Sequence, residues 1–359
     1  MHFLSNKVVS LAVATVIFIS CNQKNKKTDN AQVGEEKAPL VSLTKARYTI
    51  GDSIPLNFPK ALSKLDVQFD GMDVRIGQNL ADTLKLNTVA KKTGWHQLIV
   101  RGSTKDKEHF VDTLRVELIS DVEPVEIQYT VIGSFPHQVT SFTEGLEFYK
   151  GNLYEGTGQN GGSKLMKVDV KTGTSLKEIP LELKYFGEGI TIVNDNIYQL
   201  TWQSGVCFRY DMNFKLNKTF TYYTQGWGMT HDDNTLIMSD GSSKIYFYNT
   251  EMEKSGEIDV YDQSGPVRNL NELEFVDDYI FANIFESTKI VKIDPKTGKV
   301  VGFMDMKSMV PASVNVTKDV LNGIAHQPFE NALYVTGKNW PLVFKIKLIN
   351  PSKNKLAFK

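Results

Sequence analysis

The sequence predicts an all-β protein in which a small immunoglobulin-like β-sandwich precedes a five-bladed β-propeller. Two observations predict this fold. The periodic segments are short and rich in β-branched and aromatic residues, with 20 Phe, 14 Tyr and 4 Trp in 359 residues, and such segments favour strands. The second part of the chain also repeats one strand–turn–strand pattern five times, which is typical of propeller blades.

The N-terminal residues 1–20 are predicted to be a lipoprotein signal peptide. Lys7 supplies a basic start, an apolar run too short to span a membrane follows, and Cys21 comes directly after Ser20. We expect Cys21 to be lipidated and residues 21–40, which are polar and lack periodicity, to form a flexible tether. These features predict a lipid-anchored protein of the bacterial cell envelope, at the outer membrane or facing the periplasm. The alternative is an ordinary secretory signal with an incidental cysteine.

Residues 41–122 are predicted to form the immunoglobulin-like sandwich. Short alternating segments follow one another there with Gly and Asp turns between them. Nothing in this part suggests chemistry, because His96 and His109 are isolated from other candidate ligands. Pro124 marks a linker to the propeller domain, predicted over residues 127–350.

The charge balance argues against a nucleic-acid partner. The chain has 41 basic and 41 acidic residues and a formal net charge of zero, and it lacks the basic stripe that binding to nucleic acid requires. Cys207 is the cysteine that is left once Cys21 is assigned to lipid. Its apolar strand context predicts a core residue.

The propeller prediction depends on the spacing of the repeats. The five strand–turn–strand segments begin 44, 39, 44 and 51 residues apart, at Glu144, Glu188, Trp227, Asn271 and Asn322. A third and a fourth strand follow each of the first four segments. The fifth segment has one further strand, so the strand that opens the domain is free to complete the last blade and close the ring.

The repeat also predicts where a site lies. In an antiparallel hairpin the start of the first strand and the end of the second lie at the same end. The repeats therefore bring equivalent positions to one mouth of the central channel: Glu144, Thr157, Glu188, Trp202, Trp227, Asp240, Asn271, Phe285, Asn322 and Lys338. Carboxylates, amides, aromatics and one lysine in a compact group are typical of a small-molecule site.

The motifs at these positions resemble those of a known family. They are FTEGL, FGEGIT, YQLTW, GWGMT, MSDGSSKIYF, PVRNLNELE, IDPKTGKVVG, VLNGIAH and VTGKNWP. Together they resemble the plant-type glutamine cyclotransferases (glutaminyl-peptide cyclotransferases) over residues 128–349. The resemblance implies a five-bladed propeller that converts the N-terminal glutamine of peptides or proteins to pyroglutamate and releases ammonia. We expect a monomer without a cofactor, and no His has zinc-ligand spacing to another.

The resemblance implies catalytic roles for three residues. Glu188 would shuttle a proton from the substrate α-amine to the departing ammonia, although a carboxylate that only binds the amine is the alternative. Asn271 would hydrogen-bond the substrate amide or the oxyanion. Lys338 would stabilise the developing negative charge, or it would form a structural ion pair with a neighbouring carboxylate.

Five further residues are predicted to bind substrate: Glu144, Trp202, Trp227, Phe285 and Asn322. The two tryptophans would form walls for the glutamine side chain. Glu144 stands where the plant enzymes have Gln, and a second carboxylate near Glu188 would raise one of the two pKa values or bind the substrate ammonium. Phe285 stands where the family often has Trp, so it keeps an apolar wall and lacks the indole N–H donor.

Two other functions are open at this point. Propeller hydrolases of the lactonase type hold a divalent cation at the channel mouth, and Glu144, Glu188, Asn271, Asn322 and Asp240 offer oxygen ligands. The lipid anchor and the extra domain also fit a non-catalytic module that displays a binding surface at a membrane.

Overall fold

The computed structural model describes residues 40–58, 61–78 and 83–349. These residues belong to one compact unit of the chain, Pro39–Lys359. The predicted signal peptide (1–20), the lipidation site Cys21 and all but the last residue of the predicted tether lie outside the described residues. The described part is all-β, as predicted, and its strands are joined by turns and one short 3-10 helix at Lys307–Met309.

The N-terminal part consists of two sheets that share one core. Their strands are β1 Ser42–Leu43, β2 Arg47–Thr49, β3 Ser53–Asn57, β4 Leu62–Phe69, β5 Met72–Gln78, β6 Thr83–Asn87, β7 Gly94–Thr104 and β8 His109–Ile119. One sheet has the order β1-β3-β6 and the other β2-β8-β7-β4-β5. Inward residues of both sheets, such as Ile54 and Leu56 from the first and Leu65 and Leu98 from the second, form a single buried cluster. Alternate burial along these strands is the pattern expected of one face turned to a core.

These two sheets and the segment that follows them contact the C-terminal part of the described chain. Strand β9 (Val125–Glu126) pairs in parallel with the strand Val300–Asp305 of a later sheet. The hydroxyl of Tyr261 donates to Glu117 over 3.2 Å, and Lys299 forms an ion pair of 2.6 Å with Asp121. The segment around the predicted linker residue Pro124 is therefore tied to both parts and does not act as a free hinge.

The described residues from Tyr129 onward form five sheets, and within each sheet these strands run antiparallel. Their strands are β10 Tyr129–Pro136, β11 Thr143–Tyr149, β12 Asn152–Thr157, β13 Lys164–Asp169, β14 Thr174–Pro180, β15 Gly187–Val193, β16 Asn196–Thr201, β17 Val206–Asp211, β18 Leu216–Thr221, β19 Met229–Asp232, β20 Thr235–Ser239, β21 Lys244–Tyr248, β22 Lys254–Asp259, β23 Leu270–Val276, β24 Tyr279–Ile284, β25 Lys289–Ile293, β26 Val300–Asp305, β27 Leu321–Gln327, β28 Ala332–Gly337 and β29 Leu342–Leu348. Four sheets are consecutive meanders that begin at β11, β15, β19 and β23. In the fifth, β10 pairs with β29 beside β28 and β27.

The first strands of these sheets contact one another in sequence. β11 contacts β15, β15 contacts β19, β19 contacts β23, β23 contacts β27, and β27 contacts β11. Glycines allow the close approach: a Cβ on Gly189 would lie 2.5 Å from the backbone nitrogen of Met229, and one on Gly145 would collide with the backbone nitrogen of Ile190. The glycines on either side of the predicted acids are thus needed for packing between strands.

Apolar clusters fill the space between neighbouring sheets. Tyr198, Leu200 and Cys207 of one sheet pack with Leu236 and Met238 of the next. Cys207 is fully buried, as its sequence context predicts, and burial raises its pKa to about 12. The thiol is therefore inert at neutral pH. The described part of the chain contains no helix long and apolar enough to cross a membrane.

Candidate functional site

Irregular strand starts place four of the predicted site residues. The pairing register shifts at Glu144 in β11, at Glu188 in β15, at Asn271 in β23 and at Asn322 in β27. A bulge of this kind re-aims one side chain without ending the sheet. Because the same irregularity recurs at the start of four first strands, their polar side chains turn toward one end of the assembly.

Seven of the eight predicted catalytic and binding residues line one cavity at that end. Its volume is about 430 Å³, and we refer to it as the site cavity. Its lining residues are Phe142, Glu144, Gln159, Phe186, Glu188, Trp202, Trp227, Asn271, Phe285, Thr317, Lys318 and Lys338. Asn322 is the predicted residue that does not line it. The rim positions Thr157 and Asp240 do not line it either, and the Asp240 carboxylate instead accepts hydrogen bonds from Ser242 and Tyr246.

Aromatic side chains form the walls of the site cavity. Trp202 packs against Phe186 with ring centroids 5.6 Å apart, and Trp227 meets Phe285 edge to face at 5.5 Å. Both indole N–H groups donate to the side-chain oxygen of Gln225, over 2.7 and 3.0 Å. One amide therefore fixes the orientation of both tryptophans.

Charged groups occupy the inner end of the site cavity. The ammonium of Lys338 lies 2.7 Å from one carboxylate oxygen of Glu144, and both side chains are buried. Asn322 donates to the other oxygen of Glu144 over 3.1 Å and to the backbone oxygen of Thr143 over 2.9 Å. Lys338 therefore makes the ion pair that the sequence left as an alternative. Asn322 lies behind Glu144 and holds it in place.

The two carboxylates differ in their affinity for protons. The pKa of Glu188 is raised well above its ordinary value, first by burial and then by the charge of Glu144 and a hydrogen bond between the two groups. The charge of Lys338 acts in the opposite direction. Burial also raises the pKa of Glu144, while its contacts with Lys338 act in the opposite direction. We infer that Glu188 keeps its proton to higher pH than Glu144 does, because the ammonium of Lys338 is hydrogen-bonded to Glu144 and favours its charged form.

The side-chain oxygen of Asn271 is a buried hydrogen-bond acceptor to which no described group donates. The residue is 2% exposed, and its side-chain oxygen has no hydrogen-bond partner among the described residues. Its backbone oxygen accepts the hydroxyl of Ser239 over 2.7 Å, which fixes the residue in place. A buried acceptor without a partner costs free energy, so the amide that lines the site cavity is suited to an N–H group of a ligand.

A second group of carboxylates lies between the first strands. Glu272 accepts the backbone N–H groups of Leu146 and Ile324, over 3.2 and 2.8 Å. Glu274 accepts the backbone N–H of His326 over 2.6 Å. Glu147 also lies in this group, and burial followed by the charge of Glu274 raises its pKa well above the ordinary value. These acids satisfy backbone donors of neighbouring strands where the strands do not pair with each other.

Several site residues were not predicted from the sequence. Phe142, Phe186 and Gln225 each stand two residues before the first residue of a repeat segment. This shared position in the repeat could have predicted all three as site residues. Lys318 lies in the loop before β27, and Gln159 lies in the turn after β12. Gln159 has a counterpart in the second repeat, because Gln203 follows Glu188 at the same offset at which Gln159 follows Glu144. For Lys318 the sequence carries no comparable signal.

The described residues contain no group of three or more His, Cys, Asp or Glu side chains arranged to hold a metal ion. Of the five oxygen ligands considered for a lactonase-type cation, Asp240 and Asn322 do not line the site cavity. Asn322 is instead engaged with Glu144. The polar groups that line this cavity are two carboxylates, two lysines, two amides and one threonine, beside the aromatic rings.

Known proteins resemble this chain over the part that contains the site. A family model described as glutamine cyclotransferase matches residues 103–348. The glutaminyl-peptide cyclotransferase of Arabidopsis thaliana is 36% identical over 226 residues, which cover 61% of this chain and 70% of that protein. The crystal structure of the Myxococcus xanthus glutaminyl cyclase superposes with a TM-score of 0.60 at 32% identity, over 64% of this chain and 100% of that one.

Proposed function

This chain belongs to the glutamine cyclotransferase family, and we propose that its site cavity converts the N-terminal glutamine of peptides or proteins to pyroglutamate and releases ammonia. The observation that carries this proposal is a buried Glu188 among aromatic walls, beside the Glu144–Lys338 pair. The family match and the relatives' names support the same reaction.

The reaction needs one group that both takes and returns a proton. The α-nitrogen attacks the side-chain carboxamide carbon, a new C–N bond forms, and the old C–N bond breaks to release ammonia. The proton lost by the attacking nitrogen must reach the departing nitrogen, because ammonia leaves more readily than an amide anion. Glu188 is the acid–base residue in the site cavity without a cationic partner of its own, so we assign it this transfer.

The raised pKa of Glu188 suits that role. A peptide α-amine titrates at about 7.7–8.0, and an acid whose pKa is raised toward this range exchanges a proton with the amine at little cost. The complex of neutral Glu188 with a neutral amine and the complex of ionised Glu188 with an ammonium differ only in the position of one proton. In the complex the substrate amine is thus neutral and nucleophilic, and Glu188 holds the proton that the leaving group needs. Glu188 takes up the proton of the attacking nitrogen once its own proton has passed to the departing nitrogen.

The other residues bind and orient the substrate. The unpartnered oxygen of Asn271 accepts an N–H of the substrate carboxamide or amine. Lys338 donates to the carbonyl oxygen as negative charge develops there, since an ammonium has donors besides the one on Glu144. Trp202, Trp227 and Phe285 confine the side chain in a curled conformation, and holding the two reacting groups together supplies much of the rate.

We assign the five sheets from β10 to β29 to a closed five-bladed β-propeller, with the first strands around its axis. The ring of contacts between first strands supports this assignment. The two sheets of residues 42–119, which share one core, support the immunoglobulin-like sandwich. An experimental density map with a blade count other than five would contradict the first assignment.

We also propose that the protein acts as a monomer anchored through a lipid on Cys21 in the bacterial cell envelope. The basic start, the apolar run and the cysteine that follows support the anchor. Mass spectrometry of the protein from membranes, beside a Cys21→Ser variant, tests it. A mature chain without acyl groups would contradict the anchor, and light scattering at the mass of a dimer would contradict the monomer.

The proposed reaction is tested with a Gln-Phe-Ala peptide. We expect the protein to remove one ammonia from this peptide, as measured by mass spectrometry, with and without a chelator. Glu188→Gln should lower kcat by about 10²–10⁴-fold, the usual contribution of a positioned acid–base residue. Glu178→Gln is the matched control, because it neutralises an exposed carboxylate outside the site cavity. Conversion no faster than the spontaneous rate would exclude the function, and a Glu188→Gln enzyme with unchanged kcat would exclude the assigned role.

A further inference from the structure

A second cavity adjoins the site cavity. Its volume is about 590 Å³, and Phe142 and Gln159 line both cavities. The second cavity is lined by Val139, Thr140, Phe142, Gly158, Gln159, Gly162, Ser313, Val314, Asp319, Asn339 and Pro341. Two shared wall residues make the second cavity the direct continuation of the first along the surface.

Four connecting segments surround the second cavity. They are the segment between β10 and β11, the turn after β12, the loop before β27, and the turn between β28 and β29. The loop before β27 is fixed, because Asn339 donates to Asp319 over 2.9 Å and the backbone N–H of Asn315 donates to the same carboxylate over 3.0 Å. The hydroxyl-bearing residues Thr140 and Ser313 are exposed at its walls. Val139, Val314 and Pro341 add apolar surface, so the walls offer both hydrogen bonds and apolar contacts to a peptide chain.

The junction between the two cavities is conformationally strained. Gln159 has a φ of 86°, in the left-handed region that side chains other than glycine rarely adopt. Its backbone oxygen accepts the N–H of Gly162 over 3.0 Å and the hydroxyl of Ser163 over 2.8 Å, which hold that conformation. Strain of this kind concentrates at functional positions. Here it places an exposed amide beside the opening of the site cavity.

We propose that the second cavity binds the residues that follow the N-terminal glutamine, so that the enzyme's substrates are extended peptides and protein N-termini rather than free glutamine. This inference depends on the function proposed above. The site cavity encloses the glutamine side chain and the α-amine, and the chain that continues from the α-carbonyl must leave it. The shared walls at Phe142 and Gln159 lead that chain into a second cavity of mixed polar and apolar lining, with room for more than one residue.

Binding in a remote subsite lowers the barrier when the contacts persist in the transition state. We therefore expect kcat/KM to rise with peptide length. The substrates are glutaminamide, Gln-Ala-amide, Gln-Ala-Ala-amide and Gln-Ala-Ala-Ala-amide, which carry no terminal carboxylate. We expect the two longest to exceed glutaminamide by about tenfold, which corresponds to about 1.4 kcal/mol of transition-state binding.

A cavity-filling variant tests the location. A Cβ on Gly162 meets only Gln159 atoms, at 3.7 and 3.9 Å, so Gly162→Phe extends into the second cavity without a backbone collision. The measured quantity is the ratio of kcat/KM for the longest peptide to that for glutaminamide. Because the ratio is taken within one preparation, loss of folded protein cancels. We expect Gly162→Phe to reduce the ratio to about 1–2, that is, to remove the tenfold (about 1.4 kcal/mol) gain.

Gly256→Phe is the matched control, since its Cβ meets only one ring atom of Phe247 at 3.9 Å and lies on β22, away from both cavities. It should keep the ratio of the wild type. If Gly162→Phe does not fold, Ser313→Phe at the opposite wall replaces it. A wild-type ratio near one would contradict the proposed subsite, and so would an unchanged ratio in Gly162→Phe and Ser313→Phe. Neither outcome would contradict the proposed cyclase activity. If the wild type cyclises none of the four substrates, the proposed function fails, and the subsite fails with it.

Discussion

Glu274→Gln changes the pH dependence of stability in a direction that the structure specifies. Burial raises the pKa of Glu274 from an ordinary 4.5 to about 8, against hydrogen bonds from the backbone of His326 and from Thr230. The folded protein therefore holds a proton there that the unfolded chain has lost. The stability from this group is complete below about pH 4.5 and is lost as the pH rises toward 8. Glutamine keeps a side-chain oxygen for the His326 N–H and has no proton to lose.

The size of the effect follows from the two pKa values. Each unit of difference is worth 1.36 kcal/mol, so Glu274 alone contributes up to roughly 5 kcal/mol between pH 4.5 and 8. The pKa values of Glu147 and Glu272 are also raised well above the ordinary value, each with a contribution from the charge of Glu274. Removing that charge eases the ionisation of its neighbours. We therefore expect Glu274→Gln to match the wild type near pH 5 and to exceed its stability at pH 9 by several kcal/mol.

Urea unfolding followed by tryptophan fluorescence at pH 5, 7 and 9 measures this difference. Glu178→Gln is the control, because Lys164 lowers the pKa of that exposed carboxyl and its replacement has no stabilising effect at high pH. Parallel stability curves for the wild type and Glu274→Gln across this range would refute the reasoning. So would a variant whose stability falls more steeply with rising pH than that of the wild type.

Two further substitutions test the site itself. Lys338→Met leaves the buried Glu144 carboxylate without its cation, so we expect a loss of about 3–5 kcal/mol at pH 8 in urea unfolding, with a smaller loss at pH 5, where Glu144 can take up a proton. An equal loss at both pH values would contradict this account. Gln225→Leu removes the acceptor shared by both tryptophan N–H groups, and we expect KM for Gln-Phe-Ala to rise about fivefold, since one ordinary hydrogen bond is worth about 1 kcal/mol. Gln203→Leu, at an exposed glutamine beside Trp202, should leave KM unchanged, and equal KM values in the two variants would show that Gln225 does not orient the walls.

The repeat in the sequence was sufficient to find most of the site. Positions that begin or end equivalent strands converge in space, because every hairpin has the same direction relative to its neighbours. Glu188, Trp202, Trp227 and Asn271 could be named for that reason alone. The all-β class followed from short β-branched segments, which have few other ways to bury one face.

The partners of those residues depended on contacts between distant parts of the chain. Lys338 and Glu144 lie 194 positions apart. From the sequence, Lys338 was predicted either to stabilise the negative charge that develops on the substrate or to form an ion pair with a neighbouring carboxylate. Asn322 was expected to bind substrate, but its amide is directed at Glu144 because a bulge at the start of β27 re-aims it. The register of a bulge depends on the neighbouring strand and is not encoded by spacing alone.

The sequence by itself determined which residue types surround one end of the channel, because periodicity and repeat spacing are properties of the linear chain. Only the tertiary structure decided which carboxylate keeps its proton. That outcome depends on burial and on which acid the lysine contacts, and both arise when strands far apart in sequence pack together. The second cavity is likewise a property of packing, since loops from four separate parts of the chain enclose it.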